Sequence, residues 1–511
     1  MNDDEFKSRL SAAKSTRMGY IKDASREVYK YCFNGREQEW DMGSKGQEPD
    51  EIFTDFPAVI AEEFHGELFS TMTPENAPWV GYEPGNAVSK DDWANGLEDQ
   101  FDEFGEIMDQ SIRSSNYYTE GQTAFQDAVV GNVAMWVERR AFGKPIRCEA
   151  IAIPKLELRI GPNGIEDRFR TERYIARDLP SLLPDADFPK ELKDKIKRGS
   201  SAHMPVIWGF WRDYSDPLAP RWYQAIRVDG KEVGLDRDIG EEGACPLIVG
   251  RFNGVPNSPW GRGPGRTMLP TIRTLDVLCS MNLEAMDRNL DPAYAYPHDG
   301  ILDLSDGIES GMGYPSMPGS AESIRPIGTI DNLDYGFFSE EKIEEKVRYG
   351  FYREMLQRGK TPPSASQYLG EAQKQIQRMA RPAATLWEEF GVGILKRFEY
   401  LERQRGGLLF GVPQPLIEGG TVSVRPISPL ERAQAREDVM VAQSIMETAN
   451  ATMGPQQAAM MIDGAATTEN IKAKLKDKLV VTRSAEDQMR MMQAQAAAMA
   501  PPSPEAPNGQ G

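Results

Sequence analysis

The sequence predicts a mainly helical α+β protein built from several structural units. Apolar residues recur at helical spacing toward both ends of the chain. A block at about 135–255 instead alternates apolar and polar residues, as strands do. Residues 291–336 lose all periodicity between two helical segments. With 511 residues and about 100–200 residues per domain, the chain has room for roughly three to five units.

The first part of the chain is predicted to be helical. Helices are expected at residues 1–35, 55–72, 91–115 and 119–132. The stripes that define the second and third of these are Phe56, Ile60, Phe64 and Leu68, and Trp93, Leu97, Phe101, Phe104 and Met108. The third helix is strongly acidic on its other faces. Its acidic face over 91–109 is either a solvated helix face or a contact with another subunit.

The block at about 135–255 is predicted to be rich in β-strands. The expected strands are Ala134–Arg140, Ile146–Ile160, Ile165–Ile175, Val206–Tyr214 and Trp222–Val228. Gly161 to Gly164 forms a turn signal, and Asp229-Gly230 is typical of a two-residue hairpin. A loop and a short helix are expected at residues 180–200.

The C-terminal half is predicted to contain three helices around the irregular segment. They cover about Thr267–Leu290, Ser339–Gln357 and Ser364–Arg405, and Pro382 is expected to kink or split the last one. The stripe of the first is Met268, Ile272, Leu275, Leu278 and Met281. A strand at Thr421–Val424 and a helical block at 428–495 follow. The Pro/Ala/Gly-rich tail is expected to be disordered.

Composition narrows the function classes. The net charge of −19 argues against a protein that grips DNA over a large surface, because phosphate neutralisation requires a basic excess. The sequence contains no run of about 18 apolar residues, so no membrane span is predicted. The acidic N-terminus is unlike a secretory signal. Four scattered cysteines suit a reducing compartment.

No motif supports an enzyme, a metal site or a cofactor site. Gly359-Lys360-Thr361 is similar to the end of a phosphate-binding loop, but Glu354 stands where that loop needs glycine. Gly261 to Gly265 has its third glycine out of register for a dinucleotide site. Only three histidines occur, and His65 is expected on the surface of its helix.

The order of motifs resembles the portal (head-to-tail connector) proteins of short-tailed bacteriophages over about residues 5–430. The motifs are Leu68-Phe69-Ser70-Thr71-Met72-Thr73-Pro74 leading into Pro78-Trp79-Val80, Trp260-Gly261-Arg262-Gly263-Pro264-Gly265, Leu269 to Asp276, Asp291-Pro292, and Pro297 to Gly300. Trp260 replaces the family's usual Tyr, and Asp276 stands where Asn is common. Residues 361–371 depart from the Met-Thr-Ala-Thr-Glu-Val-like segment of the family.

The resemblance implies a portal fold with wing, stem, clip and crown, assembled as a ring. The implied regions are a wing at 1–260, a stem helix at 261–290, a clip at 291–336, a second stem helix at 337–358, a channel loop at 359–364, a long wing helix and strand at 365–427, a crown at 428–495 and a disordered tail at 496–511. Arg358, Lys360 and Thr361 are the candidate residues facing DNA in the channel loop.

The resemblance also implies the function and the partners. The ring, usually of twelve copies, would lie at one capsid vertex of the virion after assembly in the host cytoplasm. Double-stranded DNA would pass through it without sequence specificity. The implied partners are the terminase large subunit, a tail adaptor protein, and the major capsid and scaffolding proteins, with no membrane. Two alternatives remain open: another virion structural protein, and a DNA-packaging motor enzyme.

Overall fold

The computed structural model describes sixteen segments of the chain. They are residues 3–33, 36–40, 52–75, 79–84, 98–139, 143–216, 220–291, 293–297, 313–316, 325–327, 333–353, 378–410, 422–426, 429–454, 466–468 and 471. The chain divides into two compact units, residues 1–428 and 429–511. Helices and mostly antiparallel sheets occur together, which agrees with an α+β fold.

Within the described residues, five helices precede the main sheets. They are α1 (Asp3–Arg17), α2 (Tyr20–Cys32), α3 (Phe56–Met72), α4 (Glu98–Ser114) and α5 (Tyr117–Gln126). The predicted stripe of α3 is buried along its whole length, and so are the described members of the α4 stripe, Phe101, Phe104 and Met108. Trp93 and Leu97 lie outside the described residues. Short 3₁₀ turns at Arg36–Trp40 and Asp127–Val129 follow α2 and α5.

The β-rich block forms two antiparallel sheets. Its strands are β2 (Asn132–Glu138), β3 (Arg147–Ala150), β4 (Leu156–Gly161), β5 (Gly164–Ile175), β6 (His203–Asp213), β7 (Arg221–Val228), β8 (Lys231–Glu232), β9 (Arg237–Gly240) and β10 (Leu247–Arg251). One sheet has the order β10-β2-β3, and the other has the order β4-β5-β6-β7-β8 with β9 also on β7. Helices α6 (Leu179–Leu182) and α7 (Lys190–Lys197) lie between β5 and β6.

Two helices and a small sheet follow this block. They are α8 (Pro264–Leu290), β11 (Ala293–Pro297), β12 (Gly313–Ser316), β13 (Arg325–Ile327) and α9 (Leu333–Gly350). β11 lies between β12 and β13, parallel to β12 and antiparallel to β13. The small sheet therefore lies within the segment that lacks periodicity, between two helices.

The last elements of the first unit return to its N-terminal part. Helix α10 covers residues 378–403, with a π-helical turn at Trp387–Gly391 before Val392–Arg403. Strand β14 (Val422–Pro426) pairs antiparallel with β1 (Val80–Pro84). The second unit contains α11 (Pro429–Met453).

One continuous apolar core joins the two sheets to α2, α3, α5, α8 and α10. The buried Arg397 of α10 ties them together through backbone carbonyls. Its Nε donates to Val137 O at 2.9 Å, and its Nη1 donates to Gly243 O and Ala244 O at 3.1 and 2.7 Å. Burial lowers the pKa of Arg397 to about 10. A charge buried this way is tolerated because carbonyl oxygens satisfy its donors.

Helix α1 covers the outer face of the larger sheet through a small separate core. Phe6, Leu10 and Ala13 pack there against Phe169, Trp211 and Ala225. Arg9 and Arg17 add ion pairs to Asp167 and Glu157 at 3.2 and 2.5 Å.

Several predicted helix boundaries are wrong for identifiable reasons. The single helix at 1–35 is broken at Gly19, whose φ of 73° is left-handed. The helix at 119–132 ends at Gln126, before strand β2. The helix predicted to end at Gln357 ends at Gly350, because Tyr352 turns the backbone with a φ of 62°. Pro382 neither ends the helix nor splits it, and the π-helical turn begins five residues later.

Two side-chain predictions and one strand prediction are also wrong. His65 is buried, and burial lowers the pKa of its imidazole. Met281 is exposed instead of joining the buried stripe of α8. The segment 146–160 is interrupted by a 3₁₀ turn at Ile153–Lys155, because Pro154 cannot donate to a strand neighbour.

Asp127 is a buried carboxyl that fixes the turn before β2. It accepts hydrogen bonds from the hydroxyl of Tyr29 at 2.5 Å and from Ile153 N at 2.9 Å. Burial raises the pKa of Asp127 to about 6, and the two hydrogen bonds oppose this rise. Asp127 thus joins α2 to the turn before β4.

Replacing Asp127 with Asn is expected to change how stability depends on pH. An unfolded aspartate has a pKa of about 3.9, so the folded state holds this proton more tightly. The contribution of Asp127 is therefore full below about pH 4 and is lost as the pH rises through about 6. Urea unfolding should show the wild-type-minus-variant difference in free energy of unfolding falling over this range. A difference that stays constant with pH contradicts the assignment.

Candidate functional site

The predicted channel-loop residues Arg358, Lys360 and Thr361 lie outside the described residues. The structure does describe helix α9, which precedes them in sequence, helix α8, which packs against α9, and the segment that connects α8 to the sheets. These elements form the candidate site.

The root of α8 is a close crossing of two backbones. A methyl group on Gly261 would lie 2.1 Å from the carbonyl oxygen of Gly131, and one on Gly263 would lie 2.2 Å from Val129 O. Gly131 has a φ of 139°, a backbone conformation that residues with a Cβ rarely adopt, so this position requires glycine for that reason as well. Only glycine lets residues 128–131 and 261–263 approach this closely.

Hydrogen bonds close the crossing from both sides. Asn132 donates from Nδ2 to Pro259 O at 3.1 Å and accepts from Gly261 N at 3.0 Å through Oδ1. Gly263 N donates to Val130 O at 3.0 Å. Trp260 is buried and donates to Thr16 Oγ1 of α1 at 3.0 Å. We call this set of residues, 128–132 and 259–263, the glycine crossing.

Helices α8 and α9 pack antiparallel along their lengths. Glu340 accepts from Asn282 Nδ2 at 2.8 Å and from Cys279 Sγ at 3.3 Å. Gly336 leaves room for the Asn282 side chain, and Gly350 leaves room for Met268. The two helices are thus held together by the polar contacts of Glu340 and by close packing at Gly336 and Gly350.

The C-terminal end of α9 is held by aromatic and charged contacts. Tyr352 packs its ring against Phe64 and Phe252 at centroid distances of 6.1 Å. Arg353 pairs with Glu63 at 3.4 Å and also with Glu67, both on α3. This anchoring fixes where α9 ends and where the segment of the candidate residues begins.

Arg266 lies in the first turn of α8, where few contacts offset the burial of its positive charge. Its Nη1 donates to Gly261 O at 2.7 Å, and its buried Nε has no acceptor among the described residues. Burial lowers the pKa of Arg266; the nearby Tyr20 opposes this effect, and Arg262 adds to it.

The structure also contains a polar cavity of about 180 Å³ between the larger sheet and α10. Arg212 and Lys396 pair there with Glu242 at 2.8 and 3.7 Å. Its acidic and basic groups therefore neutralise one another. Within the described residues, no group of three His, Cys, Asp or Glu side chains is placed to hold a metal ion, and no helix is long and apolar enough to cross a membrane.

Sequence reasoning found one half of the glycine crossing and missed the other. The segment 260–265 stood out as a motif, but Gly131 and Asn132 lie in a stretch predicted as the end of a helix. The adjacent Gly131-Asn132 pair is typical of a turn, and it could have indicated that the helix ends before these residues.

Comparison with protein families identifies the chain. The model of the bacteriophage head to tail connecting protein family matches residues 3–479. The chain therefore belongs to this family, whose members are structural proteins that connect the head of a phage to its tail. The resemblance seen in the sequence is confirmed. Among curated proteins, none matches the chain.

Replacing Gly263 with Ala is expected to destabilise the protein, because the new methyl group meets the backbone oxygens of Val129 and Ala128. The expected loss in free energy of unfolding is about 1–3 kcal/mol. Gly66→Ala in α3 is the matched control, since nothing lies within 4 Å of its added methyl group. That control should gain about 0.5–1 kcal/mol. Chemical denaturation of both variants measures the two changes, and equal effects would contradict the crossing.

Proposed function

We propose that this chain is a portal subunit that forms a closed ring, usually of twelve copies, at one vertex of the capsid. The ring is the channel through which double-stranded DNA enters during packaging and leaves during ejection. The observation that carries the proposal is the family match over 3–479 together with the rigid α8–α9 pair rooted in the glycine crossing.

The elements fit the regions of a portal subunit. We assign α8 and α9 to the stem, and the sheets with α1–α5 and α10 to the wing. The clip at 291–336 then contains the small sheet β11–β13, and the crown contains α11. A stem helix needs a stiff attachment to the wing, and the glycine crossing supplies one.

The acidic charge of the chain fits a channel that DNA slides through. A lumen rich in Lys and Arg would bind phosphates strongly and release counterions, which would hold the DNA in place. A net charge of −19 disfavours such binding. The few basic residues of the channel loop, Arg358 and Lys360, then act as local contacts that oppose backsliding.

The proposed partners follow from the position of the ring. The clip is the docking surface for the terminase large subunit during packaging and for a tail adaptor protein afterwards. The wing contacts the major capsid protein, and scaffolding protein assists assembly. The chain needs no cofactor and has no catalytic role in this proposal.

Two other functions predict different observations. A coat or internal core protein has no need for a paired stem bracketing a clip-like insert. A packaging motor needs a nucleotide site, and the only phosphate-loop-like motif has Glu354 in place of the required glycine.

The purified protein is expected to form rings with the mass of about twelve copies. One chain has a mass of 57.1 kDa, so a twelve-fold ring has a mass of about 685 kDa with a central hole, as closed cyclic symmetry requires. Native mass spectrometry, checked by negative-stain images, measures this. Rings of about eleven to thirteen copies support the proposal. A monomer that hydrolyses ATP contradicts it and favours the motor.

Replacing Arg358 and Lys360 with Ala is expected to reduce DNA retention in filled heads. The reason is the loss of two phosphate contacts per subunit in the channel loop. The measurement is the fraction of heads that keep their DNA after purification. Lys190→Ala/Lys197→Ala, on the wing helix α7, removes the same charge away from the channel and is the control. Equal retention in all three proteins removes the assigned role of the loop.

A further inference from the structure

The polar cavity between the larger sheet and α10 is built from parts of the chain that are far apart in sequence. Arg168 of β5, Arg212 of β6 and Trp222 of β7 line its sheet side. Glu242, from the loop between β9 and β10, and Lys396 of α10 complete the wall. One water needs about 10–15 Å³ of such space, so a cavity of about 180 Å³ has room for a small polyatomic ion.

Two guanidinium groups on the sheet side are held in place by the fold itself. Those of Arg168 and Arg212 lie 4.7 and 4.8 Å from the ring centre of the buried Trp222. Arg168 also donates from Nε to Ile165 O at 3.2 Å and from Nη1 to Leu247 O at 2.8 Å. Carbonyl oxygens satisfy these donors but do not cancel the positive charge. The two cations are therefore positioned in advance for an anion, which reduces the cost of binding one.

Neutralisation inside the cavity is uneven. Glu242 divides its carboxylate between two cations, with Oε2 at 2.8 Å from Arg212 and Oε1 at 3.7 Å from Lys396. Glu389 also lines the cavity, but it accepts from Nε of Arg251 at 3.0 Å. The charge of Glu389 is thus largely used by a different arginine.

The guanidinium of Arg168 carries the cost of this uneven balance. Burial lowers its pKa, Cys245 opposes that shift, and the like charge of Arg212 adds to it. The carboxylates of Glu242 and Glu389 oppose the shift with smaller effects. An anion placed beside the two arginines would favour the charged form of both.

The helical wall of the cavity contains the π-helical turn Trp387–Gly391. This turn contributes Glu388 and Glu389 to the lining. Glu388 is exposed, so water and salt screen its charge. Single π-helical turns within α-helices occur frequently at functional sites. The turn and the paired arginines therefore mark the same place by independent observations.

We propose that this cavity binds a small oxyanion of the phosphate class, held by Arg168, Arg212 and Lys396. Planar guanidinium groups match the oxygens of such an anion and donate charge-assisted hydrogen bonds to them. Glu242 partly takes its place in the empty cavity, because its two oxygens face Arg212 and Lys396. A bound anion joins β5 and β6 to α10. This site does not depend on the proposed ring, since one subunit supplies every residue.

Two single substitutions test the site with opposite expected signs. Glu242→Gln removes the internal competitor and should tighten binding of inorganic phosphate about two- to fivefold. Lys396→Met removes a cation and should weaken binding by about the same factor. The replaced side chains are 48% and 42% exposed, so both variants are expected to fold, which circular dichroism checks. Isothermal titration calorimetry with inorganic phosphate at constant ionic strength measures the dissociation constants.

Glu241→Gln is the matched control for Glu242→Gln. Glu241 is the preceding residue in the chain and is exposed, but it does not line the cavity. The affinity of this variant for phosphate should stay close to that of the wild type. If Glu241→Gln tightens binding as much as Glu242→Gln does, the effect comes from net charge alone and the site is wrong.

A second probe, thymidine monophosphate, separates two sources of the oxyanion. If it binds and responds to both substitutions as inorganic phosphate does, the cavity accepts a phosphate group carried by a larger molecule. If only inorganic phosphate binds, the cavity takes the free ion. The proposal is overturned if neither probe shows saturable binding to the wild-type protein. Binding that Glu242→Gln and Lys396→Met both leave unchanged overturns it as well.

Discussion

The glycine crossing is the constraint on which the rest of the first unit depends. Residues 128–131 lie between α5 and β2, and residues 261–263 immediately precede α8, so a single contact positions three elements at once. Backbone carbonyl and amide groups meet there without intervening side chains. Such a junction has few ways to deform, because shifting it breaks several hydrogen bonds together. The long helix α8 therefore leaves the sheets in one fixed direction.

Buried arginines also hold elements together elsewhere in the first unit. Arg397 joins α10 to one end of the β10-β2-β3 sheet, through the carbonyl oxygens of Val137 in β2 and of Ala244 just before β10. Arg170 lies between Trp136 and Trp208 and pairs with Glu149 and Glu172, which links the two sheets. These charges are costly to bury, so they require the carbonyl and carboxylate oxygens that the neighbouring layers place around them. They fix the relative positions of layers that apolar packing alone leaves adjustable.

The sequence predicted elements with strong periodicity and missed those fixed by single residues. The stripe of α3 and the Asp229-Gly230 hairpin followed from local pattern, and both are confirmed. The end of α9 did not, because a left-handed tyrosine has no sequence signal and is held by Phe64 and Phe252 from distant parts of the chain. The motif at 260–265 marked the site, yet its meaning lay in contact with Gly131. Local sequence patterns do not reveal contacts between residues that are far apart in the chain.

The pairing of β1 with β14 has a consequence for synthesis of the chain. Roughly 340 residues separate the two strands, and a ribosome adding about 5–20 residues per second needs roughly 20–70 s to make them. During that time β1 presents an open edge of backbone donors and acceptors. The β1–β14 pair therefore forms only when nearly the whole first unit has been synthesised. A chain cut short before residue 422 keeps the edge of β1 unpaired, so completed chains differ from truncated ones in this strand pairing.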